Sequence, residues 1–366
     1  MKYLLIGSTR ANSGKSATIL GLGLKLQELG LQIGYGKPLG TFTSSTLPEI
    51  NYTEDADVRF ITNTLNLPPE LCRPTLVSLG RENLKNRLTG SDRTDYLSQL
   101  QQYPQSGTPG DLILVEAPAN TAEGALFGLN LESISTALDA NFILVIRYGS
   151  MLVAEHMMIS KQRFGDRLLG VVINDIPATE YENAKTILAP FLESLDIPVF
   201  ALMPANRILR SVSVQQLVDH LDAKILYASD QTDLSNLMVE ELKIGAMNVS
   251  AAQIYFRKSF NKAVVTGSDR VDIQLAALGT STNCLILTGN PNLAAETFQR
   301  ASELEVPILA VSTDTLTTVE IIENSLGRVR LNEGVKVQCI QEMMTSYFNF
   351  ERFLQLLELE PPTGTK

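Results

Sequence analysis

The sequence predicts an α/β fold in which a parallel sheet wrapped by helices is followed by a smaller α/β domain. Three observations lead to this prediction. Short apolar runs alternate with longer amphipathic segments, a Gly-Lys-Ser triplet lies between the first run and the first amphipathic segment, and the alternation pauses near residues 204–210 before a second series begins. Alternation of this kind is typical of parallel strands that are joined by crossover helices.

The first series contains the elements expected of the larger domain. Residues 15–29 have apolar side chains at a helical period, and Gly30 follows as a natural helix end. The other predicted helices are residues 56–65, 94–100, 151–164 and 181–195. Continuously apolar runs predict strands buried on both faces at residues 3–6, 32–35, 112–115, 142–146, 169–173 and 199–203.

The second series predicts the smaller domain and an apolar C-terminal segment. Its predicted strands are residues 224–227, 263–265, 284–287 and 308–311, and its predicted helices are residues 214–221, 234–242, 270–278, 293–304 and 318–326. Residues 335–359 are so densely apolar that we expect them to pack on their own domain or on a partner chain. The predicted domains are residues 1–208, residues 209–330, and a C-terminal helical segment with a short disordered tail at 331–366.

Composition and charge restrict the class of function. The chain has 366 residues, 30 basic and 40 acidic side chains, and a formal net charge of −10. Such a negative field repels polyanions, so we expect neither nucleic acid nor a membrane as a partner. No apolar run is long enough to span a membrane.

The cysteines and the first apolar run indicate the cellular compartment. The three cysteines are widely spaced and fit neither a disulfide framework nor a zinc site. The first apolar run is too short for a signal peptide. Together these features predict a cytoplasmic protein.

The most informative segment lies between the first predicted strand and the first predicted helix. It reads GSTRANSGKS over residues 7–16, and a Gly-Lys-Ser triplet in this position is typical of a phosphate-binding loop. Backbone N–H groups would hold the phosphates, Lys15 would reach their oxygens and the Ser16 hydroxyl would coordinate Mg²⁺. The spacing is unusual, because Thr9 stands where the first glycine is expected. The alternative is a loop in which Lys15 only begins an amphipathic helix, although a cation there opposes the helix dipole.

Acidic residues near predicted strand and helix ends are candidates for the second part of a metal site. Glu116 directly follows the apolar residues 112–115, and open parallel sheets bind their ligands at this carboxyl edge. The alternative is a strand that simply ends in a charged residue. Asp55 and Asp57 precede a predicted helix, where a capping role and a metal role are equally compatible with the sequence.

These features together resemble the dethiobiotin synthetase-like branch of P-loop ATPases over about the first 205 residues. The resemblance rests on the phosphate loop, Lys37-Pro38 after the second strand, Asp55 in the segment TEDA, Glu116, Asn174 in the segment GVVIND, and the segment LMP at residues 202–204. It implies that Lys37 contacts phosphate and the nascent carbamate, and that Asp55 is favoured over Asp57 as a metal ligand. It also implies that Asn174 recognises the adenine base.

Two departures separate the chain from the substrate chemistry of that family. After the acidic strand end the family has a glycine-rich turn for its amino substrate, whereas this chain reads EAPAN over residues 116–120. The serine-rich segment after the Lys-Pro pair is also altered, to LGTFTS over residues 39–44. We therefore expect nucleotide and metal binding to transfer from the family, and we do not expect dethiobiotin synthesis.

Residues 213–326 resemble the DRTGG domain. The resemblance rests on the segments AVVTGSDRVDIQ at residues 263–274, CLILTG at 284–289 and DTLTTV at 314–319. Gly267 and Ser268 would form a turn after a strand, Asp269 would cap the next helix, and Arg270 would face a phosphate or a carboxylate. Candidate ligand residues are therefore Gly267, Asp269, Arg270 and Asp272. An Asp269 that only caps the helix and a solvated or paired Arg270 are equally compatible with the sequence.

In this order the two domains resemble the N-terminal regulatory half of long phosphate acetyltransferases, and the resemblance covers nearly the whole chain. The catalytic module of that family would lie beyond the DRTGG domain, and we find no residues that correspond to it before Lys366. We therefore expect no acetyltransferase activity from these residues. Other common catalytic patterns are also missing from the sequence, which has two distant histidines, His156 and His220, and no Gly-x-Ser-x-Gly segment.

The sequence is interpreted as that of an ATP- and Mg²⁺-binding regulatory protein whose DRTGG domain senses a ligand or mediates assembly. The residues expected to hold the nucleotide are Thr9, Asn12, Ser13, Gly14, Lys15, Ser16 and Asn174. Ser16, Asp55 and Glu116 are expected to hold the metal, and Lys15 and Lys37 are the candidate catalytic residues.

Assembly and two alternative functions complete the sequence-based expectations. We expect a homo-oligomer, because related domains form dimers and because the C-terminal segment is so apolar, and an unidentified protein partner is compatible with the sequence. One alternative is an ATP-dependent ligase that joins a carboxylate or carbamate to an amine. The other is an interaction scaffold that retains a relict loop.

Overall fold

The computed structural model contains two compact units, and each is built around a largely parallel sheet. It describes residues 2–40, 55–103, 110–289, 293–325 and 334–362. The first unit comprises the described residues up to Ala205 together with those from Ile340 onward, and the second extends from Asn206 to Cys339. The predicted α/β class is confirmed, and the predicted domain boundaries stay predictions.

The first unit alternates strands with helices along the chain. Its strands are β1 (Lys2–Gly7), β2 (Ile33–Gly36), β3 (Leu39–Gly40), β4 (Cys72–Arg73), β5 (Val77–Ser78), β6 (Leu112–Glu116), β7 (Asn141–Arg147), β8 (Leu168–Ile176) and β9 (Val199–Pro204). Its helices, up to β9, are α1 (Lys15–Glu28), α2 (Ala56–Thr64), α3 (Arg81–Leu88), α4 (Tyr96–Leu100), α5 (Leu131–Ala137), α6 (Val153–Phe164), α7 (Tyr181–Asn183) and α8 (Ala189–Glu193). A π-helical turn at Ala184–Leu188 joins α7 to α8.

The large sheet of this unit brings three strand ends to one place. Among the described residues its strands follow the order β4-β2-β6-β1-β7-β8-β9, and all of its pairs are parallel. In the pairing of β1 with β6, Ile6 lies opposite Glu116, and in the pairing of β2 with β6, Gly36 lies opposite Val115. The carboxyl ends of β1, β2 and β6 therefore meet at the same edge, where open parallel sheets bind ligands.

Close packing explains two glycines inside α1. A Cβ atom at Gly21 would lie 2.4 Å from the side chain of Met344, and one at Gly23 would lie 2.7 Å from that of Leu65. Glycine at these positions lets the backbone of α1 approach both neighbours. The pair therefore serves packing.

The second unit continues the alternation around a smaller sheet. Its elements are α9 (Arg207–Arg210), β10 (Val212–Ser213), α10 (Val214–Leu221), β11 (Lys224–Tyr227), β12 (Met238–Val239), β13 (Glu241–Ile244), α11 (Val249–Phe256), β14 (Lys262–Gly267), α12 (Val271–Leu278), β15 (Thr282–Thr288), α13 (Ala295–Glu303), β16 (Ile308–Val311) and α14 (Thr315–Ser325). Among the residues described here, its main sheet follows the order β11-β16-β15-β14-β13, with β11 antiparallel to β16 and the other pairs parallel.

The helix predicted at residues 234–242 is wrong. The structure instead has β12, which pairs with β10, and β13, which pairs with β14. The spacing of Leu234, Leu237, Met238 and Leu242 fits a helical period, but the pairing partners come from distant parts of the sequence and override that local preference. Helix α11, which has Asn248 as its N-cap, was not predicted at all.

The apolar C-terminal segment packs on the first unit. It forms α15 (Gly334–Tyr347) and α16 (Phe350–Leu357), and α15 begins within the second unit. Phe348 stacks on Phe200 with 5.8 Å between the ring centroids, and Phe353 meets Phe200 edge-on at 5.6 Å. The described part of this segment therefore packs on the first unit of its own chain, and packing on a partner chain stays a prediction.

Some predictions lie outside the described residues. They concern the altered segment at 41–44, residues 53 and 54, the end of a helix at 326, and the tail at 363–366. In the part of the chain that the structure covers, no helix combines the length and the apolar character needed to cross a membrane.

Candidate functional site

The loop after β1 enters α1 through two residues with left-handed backbone conformations. Asn12 has a φ of 56° and Gly14 a φ of 102°, and Gly14 is the N-cap of α1 without a side-chain cap. A Cβ atom at Gly14 would lie 2.3 Å from Nδ2 of Asn174, so glycine is required both by the backbone and by this contact. No N-cap side chain satisfies the first N–H groups of α1, and such groups are suited to bind an anion.

Glu116 accepts hydrogen bonds on both of its carboxylate oxygens. The Ser16 hydroxyl donates to Oε1 at 3.0 Å, and the Tyr35 hydroxyl donates to Oε2 at 2.9 Å. Burial raises the pKa of Tyr35 well above its ordinary value, and the charge of Glu116 raises it further, so the phenol keeps its proton. The predicted metal ligands Ser16 and Glu116 are thus in direct contact, and both offer oxygen, the ligand atom that Mg²⁺ prefers.

Lys15 lies in the same site and is buried. Its Nζ donates to Oγ of Ser8 at 3.1 Å, and Ser8 Oγ in turn donates to the carbonyl oxygen of Ala119 at 2.8 Å. Burial lowers the pKa of Lys15, while the charge of Glu116 acts in the opposite direction. The lysine is therefore linked through Ser8 to the turn that follows β6.

Lys37 follows β2 and forms a buried ion pair. Its Nζ lies 2.8 Å from Oδ2 of Asp55 and 3.1 Å from Oδ2 of Asp57. Burial acts to lower the pKa of Lys37, but the combined charges of Glu116, Asp57 and Asp55 outweigh it and raise the pKa, so the side chain stays charged.

Asp55 has two structural functions at once. It is the N-cap of α2, where its Oδ1 accepts from the backbone N–H of Asp57 at 2.9 Å, and its Oδ2 pairs with Lys37. The capping role that the sequence left open is therefore observed. A metal role for Asp55 stays a prediction.

Asn174 lies at the phosphate-loop end of β8. Its Nδ2 donates to the carbonyl oxygen of Ser13 at 2.9 Å, and Ser13 Oγ donates to the carbonyl oxygen of Arg10 at 2.8 Å. Thr9 is half-buried and Asn12 is exposed on the same loop. The structure thus brings Asn174 to the predicted loop, and its contact with an adenine base stays a prediction.

Sequence reasoning missed Ser8 and Tyr35. Ser8 is one of several hydroxyl residues in the loop, and Tyr35 has the character of an ordinary strand residue. The contact of Ser8 with Ala119 and that of Tyr35 with Glu116 depend on β6 lying beside both β1 and β2, although these strands are far apart in the sequence. No local pattern carries that information.

In the second unit, the predicted ligand residues lie on and after the turn that ends β14. The prediction that Asp269 caps α12 is wrong, because the helix begins one residue later than expected and its N-cap is Arg270, without a side-chain cap. The Arg270 guanidinium donates to Asp272 at 3.1 Å and to the carbonyl oxygen of Met247 at 2.9 Å. Buried Gln274 donates to the carbonyl oxygens of Gly267 and Ser268 and so holds this turn. A ligand at this turn stays a prediction.

Within the described ranges, no group of three or more His, Cys, Asp or Glu side chains is arranged to hold a metal ion. The candidate magnesium ligands found together are the hydroxyl of Ser16 and the carboxylate of Glu116.

Comparison with known proteins finds two family matches. Residues 2–213 match the family model of an AAA domain, and residues 216–325 match that of the DRTGG domain. Phosphate acetyltransferases are among the curated relatives. That of Pseudomonas aeruginosa is 22% identical over 397 residues, which cover 99% of this chain and 54% of the relative, and that of Pseudomonas putida is 24% identical over 374 residues, which cover 95% and 51%.

The chain therefore spans about half the length of the curated relatives it matches. The predicted resemblance to the N-terminal half of long phosphate acetyltransferases is confirmed. Solved structures with partial similarity include the septum site-determining protein MinD of Pyrococcus horikoshii with Mg-ADP, at 18% identity and a TM-score of 0.34 over 57% of this chain and 83% of that chain. They also include the CBS and DRTGG domains of a Clostridium perfringens pyrophosphatase, at 16% identity and a TM-score of 0.29 over 50% and 71%.

Proposed function

The chain belongs to the AAA domain family, and from this membership and its DRTGG domain we propose that it is a regulatory protein that binds ATP together with Mg²⁺. The observation that carries the proposal is the 3.0 Å hydrogen bond between Ser16 and Glu116. It joins a hydroxyl at the start of a helix to a carboxylate at the end of a neighbouring strand. This pair suits a divalent cation that is bound to nucleotide phosphates.

The other side chains of the site fit the same ligand. Lys15 and the backbone N–H groups of residues 13–16 would hold the phosphates, and Lys37 would provide a second positive charge. Ser16, Glu116 and Asp55 would hold the metal, which when bound neutralises phosphate charge. Asn174, which donates to the carbonyl oxygen of Ser13, would contact the base.

The regulatory part of the proposal rests on the combination of domains. The DRTGG domain would sense a ligand or mediate assembly into a homo-oligomer, and a further protein would respond to the nucleotide state. We place the protein in the cytoplasm. Light scattering after size exclusion tests the oligomer, because particles of only 40.1 kDa would contradict it.

We include the absence of acetyltransferase activity from these residues in the proposal. Mixing the purified protein with acetyl phosphate and CoA is expected to yield no acetyl-CoA above a sample without protein. Formation of acetyl-CoA at an enzymatic rate would contradict this part alone, since nucleotide binding is measured separately.

An ATP-dependent ligase is the second candidate function. It is favoured by the burial of both Lys15 and Lys37 and by their shared electrostatic interaction with Glu116, because charge develops on a transferring phosphoryl group. The structure of the turn after Glu116 distinguishes the ligase from the regulator. It is held by hydrogen bonds from Ser8 to Ala119 and from Ala119 to Glu123, so a substrate would have to be bound without the flexible glycines of the ligase family.

Calorimetric titration with ATP and Mg²⁺, with nucleotide turnover measured in the same sample, tests the proposal. Lys15→Ala is expected to abolish binding, and Lys85→Ala, which removes an exposed lysine on α3, is a matched control that should bind as the wild type does. Binding without turnover supports the regulator, and binding with turnover favours the ligase. A wild-type chain that binds no ATP would overturn both the regulator and the ligase, and an interaction scaffold with a relict loop would be the remaining alternative.

A further inference from the structure

The Tyr35 hydroxyl is the second donor to Glu116, opposite the Ser16 hydroxyl. Ser16 donates to Oε1 at 3.0 Å and Tyr35 to Oε2 at 2.9 Å. Tyr35 is 1% exposed and Glu116 is 4% exposed. Hydrogen bonds from a neutral donor to a carboxylate are stronger than those between neutral groups, and this one is shielded from water.

The sheet fixes the position of the Tyr35 hydroxyl. Tyr35 belongs to β2 and lies opposite Leu114 of β6, two residues before Glu116. Its ring is buried within the sheet's packing, so the hydroxyl has little freedom to move away from the end of β6. The phenol therefore holds Oε2 of Glu116 in place.

Fixing one oxygen determines the direction of the other. A carboxylate at the end of a strand is otherwise free to rotate about its side-chain bonds. With Oε2 bound to Tyr35, Oε1 faces Ser16, whose hydroxyl stands at the first turn of α1. The two oxygen atoms that would bind the metal are thus brought together by a residue whose hydroxyl holds the other oxygen of Glu116.

We propose that Tyr35 is a positioning residue for the metal site, which orients Glu116 so that its Oε1 and the Ser16 hydroxyl coordinate one divalent cation. The inference rests on the proposed function, since it needs Mg²⁺ to bind with ATP. Partners that orient a metal ligand from outside the coordination sphere typically change metal affinity by about 10- to 100-fold when they are removed. Tyr35 accordingly raises the affinity of the site for the metal and leaves the contacts to the phosphates unchanged.

Tyr35→Phe tests this, because it keeps the ring and removes only the hydroxyl. Calorimetric titration of Mg²⁺ into protein with saturating ATP is expected to show an affinity for Mg²⁺ about 10- to 100-fold below that of the wild type. ATP affinity in EDTA should equal that of the wild type. Tyr103→Phe is the matched control, because it removes another buried phenol hydroxyl, one that donates to the carbonyl oxygen of Pro74, and it should leave both affinities unchanged.

A double-mutant cycle separates positioning from general support of the fold. If Tyr35 acts through Glu116, Tyr35→Phe has no further effect on Mg²⁺ affinity in a Glu116→Ala background, which has no side-chain acceptor for the phenol. Additive losses would overturn the proposal. If Tyr35→Phe does not fold, 3-fluorotyrosine at position 35 keeps the hydroxyl, and its ¹⁹F resonance should shift when Mg²⁺ is added to the ATP complex. An unshifted resonance would also overturn the proposal.

The failure of this inference is distinct from failure of the proposed function. A wild-type chain that binds no ATP in the presence of Mg²⁺ overturns the proposed function and the role of Tyr35 with it. A wild-type chain that binds ATP and Mg²⁺, beside a Tyr35→Phe variant with the same Mg²⁺ affinity, overturns only the role of Tyr35.

Discussion

Nζ of Lys37 lies 2.8 Å from Oδ2 of Asp55, and both side chains are almost completely buried. Asp57 provides a second carboxylate to the same lysine, and Asp55 also caps α2. A buried charge is tolerated when it is paired and hydrogen-bonded, so Lys37 and Asp55 depend on one another, whereas Asp57 is partly exposed.

Lys37→Met is therefore expected to lower the free energy of unfolding by about 3–5 kcal/mol, because Asp55 would remain buried without its cation. Urea denaturation measures this. Lys25→Met is the control, since Lys25 pairs with an exposed Glu28 at 2.9 Å and such surface pairs contribute about 1 kcal/mol or less. Equal losses in the two variants would contradict the structural argument. Adding Asp55→Asn to Lys37→Met should restore part of the stability.

Gly14→Ala is expected to abolish ATP binding, because its Cβ atom would displace the Asn174 side chain from the phosphate loop. Gly90→Ala is the matched control, since Gly90 also has a positive φ, of 75°, but a Cβ atom there would meet no atom of the described residues within 4 Å. Both variants should lose about 1–2 kcal/mol of stability from the backbone conformation alone. Retention of wild-type ATP affinity in Gly14→Ala, measured by calorimetry, would show that the Asn174 contact is not needed.

The buried Lys262 should make the stability of the second unit depend on pH. It is fully buried, donates to the carbonyl oxygens of Ser259 and Ser281, and burial lowers its pKa to about 8, helped by the charge of Lys243. Since its ordinary pKa is 10.5, the unfolded chain binds more protons at this site between about pH 8 and 10.5. The contribution of Lys262 to the free energy of unfolding should therefore rise with pH across this range.

Urea denaturation at several pH values, on the wild type and on Lys262→Met, measures that contribution. The substitution removes the donor to two buried carbonyl oxygens and also the cost of burying a charge, so the two chains are compared by the slope of their pH profiles. Between about pH 8 and 10.5, the free energy of unfolding should rise less in Lys262→Met than in the wild type. The other titrating groups are common to both chains, so the difference between the two profiles reports Lys262. Parallel pH profiles would refute a lowered pKa for Lys262.

Phe353→Ala tests the packing of the C-terminal segment on the first unit. The side chain is fully buried and contacts the rings of Phe200 and Phe348, so its removal should cost about 3–5 kcal/mol of stability. Leu356→Ala, in the same helix but 43% exposed, should change stability by no more than about 0.5 kcal/mol. Thermal and urea unfolding compare the two, and a small effect of Phe353→Ala would contradict the observed packing.

Local sequence patterns were sufficient for much of the fold and for part of the site. The continuously apolar strands led to β1, β6 and the Glu116 at the end of β6, because burial on both faces of a parallel sheet leaves a clear local signal. The Gly-Lys-Ser triplet led to Lys15. Residues 234–242 were misassigned, because their strands are determined by pairing with distant segments. The contact of Ser8 with Ala119 and that of Tyr35 with Glu116 depend on strand order, which a local pattern does not contain.

The return of the chain to the first unit from Ile340 onward makes the second unit an insertion in topological terms. The described residues of the first unit come from two stretches of sequence, and residues 206–339 lie between these stretches. The AAA domain match ends at residue 213, well before the stretch that covers Phe200. A fragment that stops at residue 213 would expose the Phe200 ring to solvent. An intact first unit therefore needs both stretches of sequence, even in a variant in which a short linker replaces the residues between them.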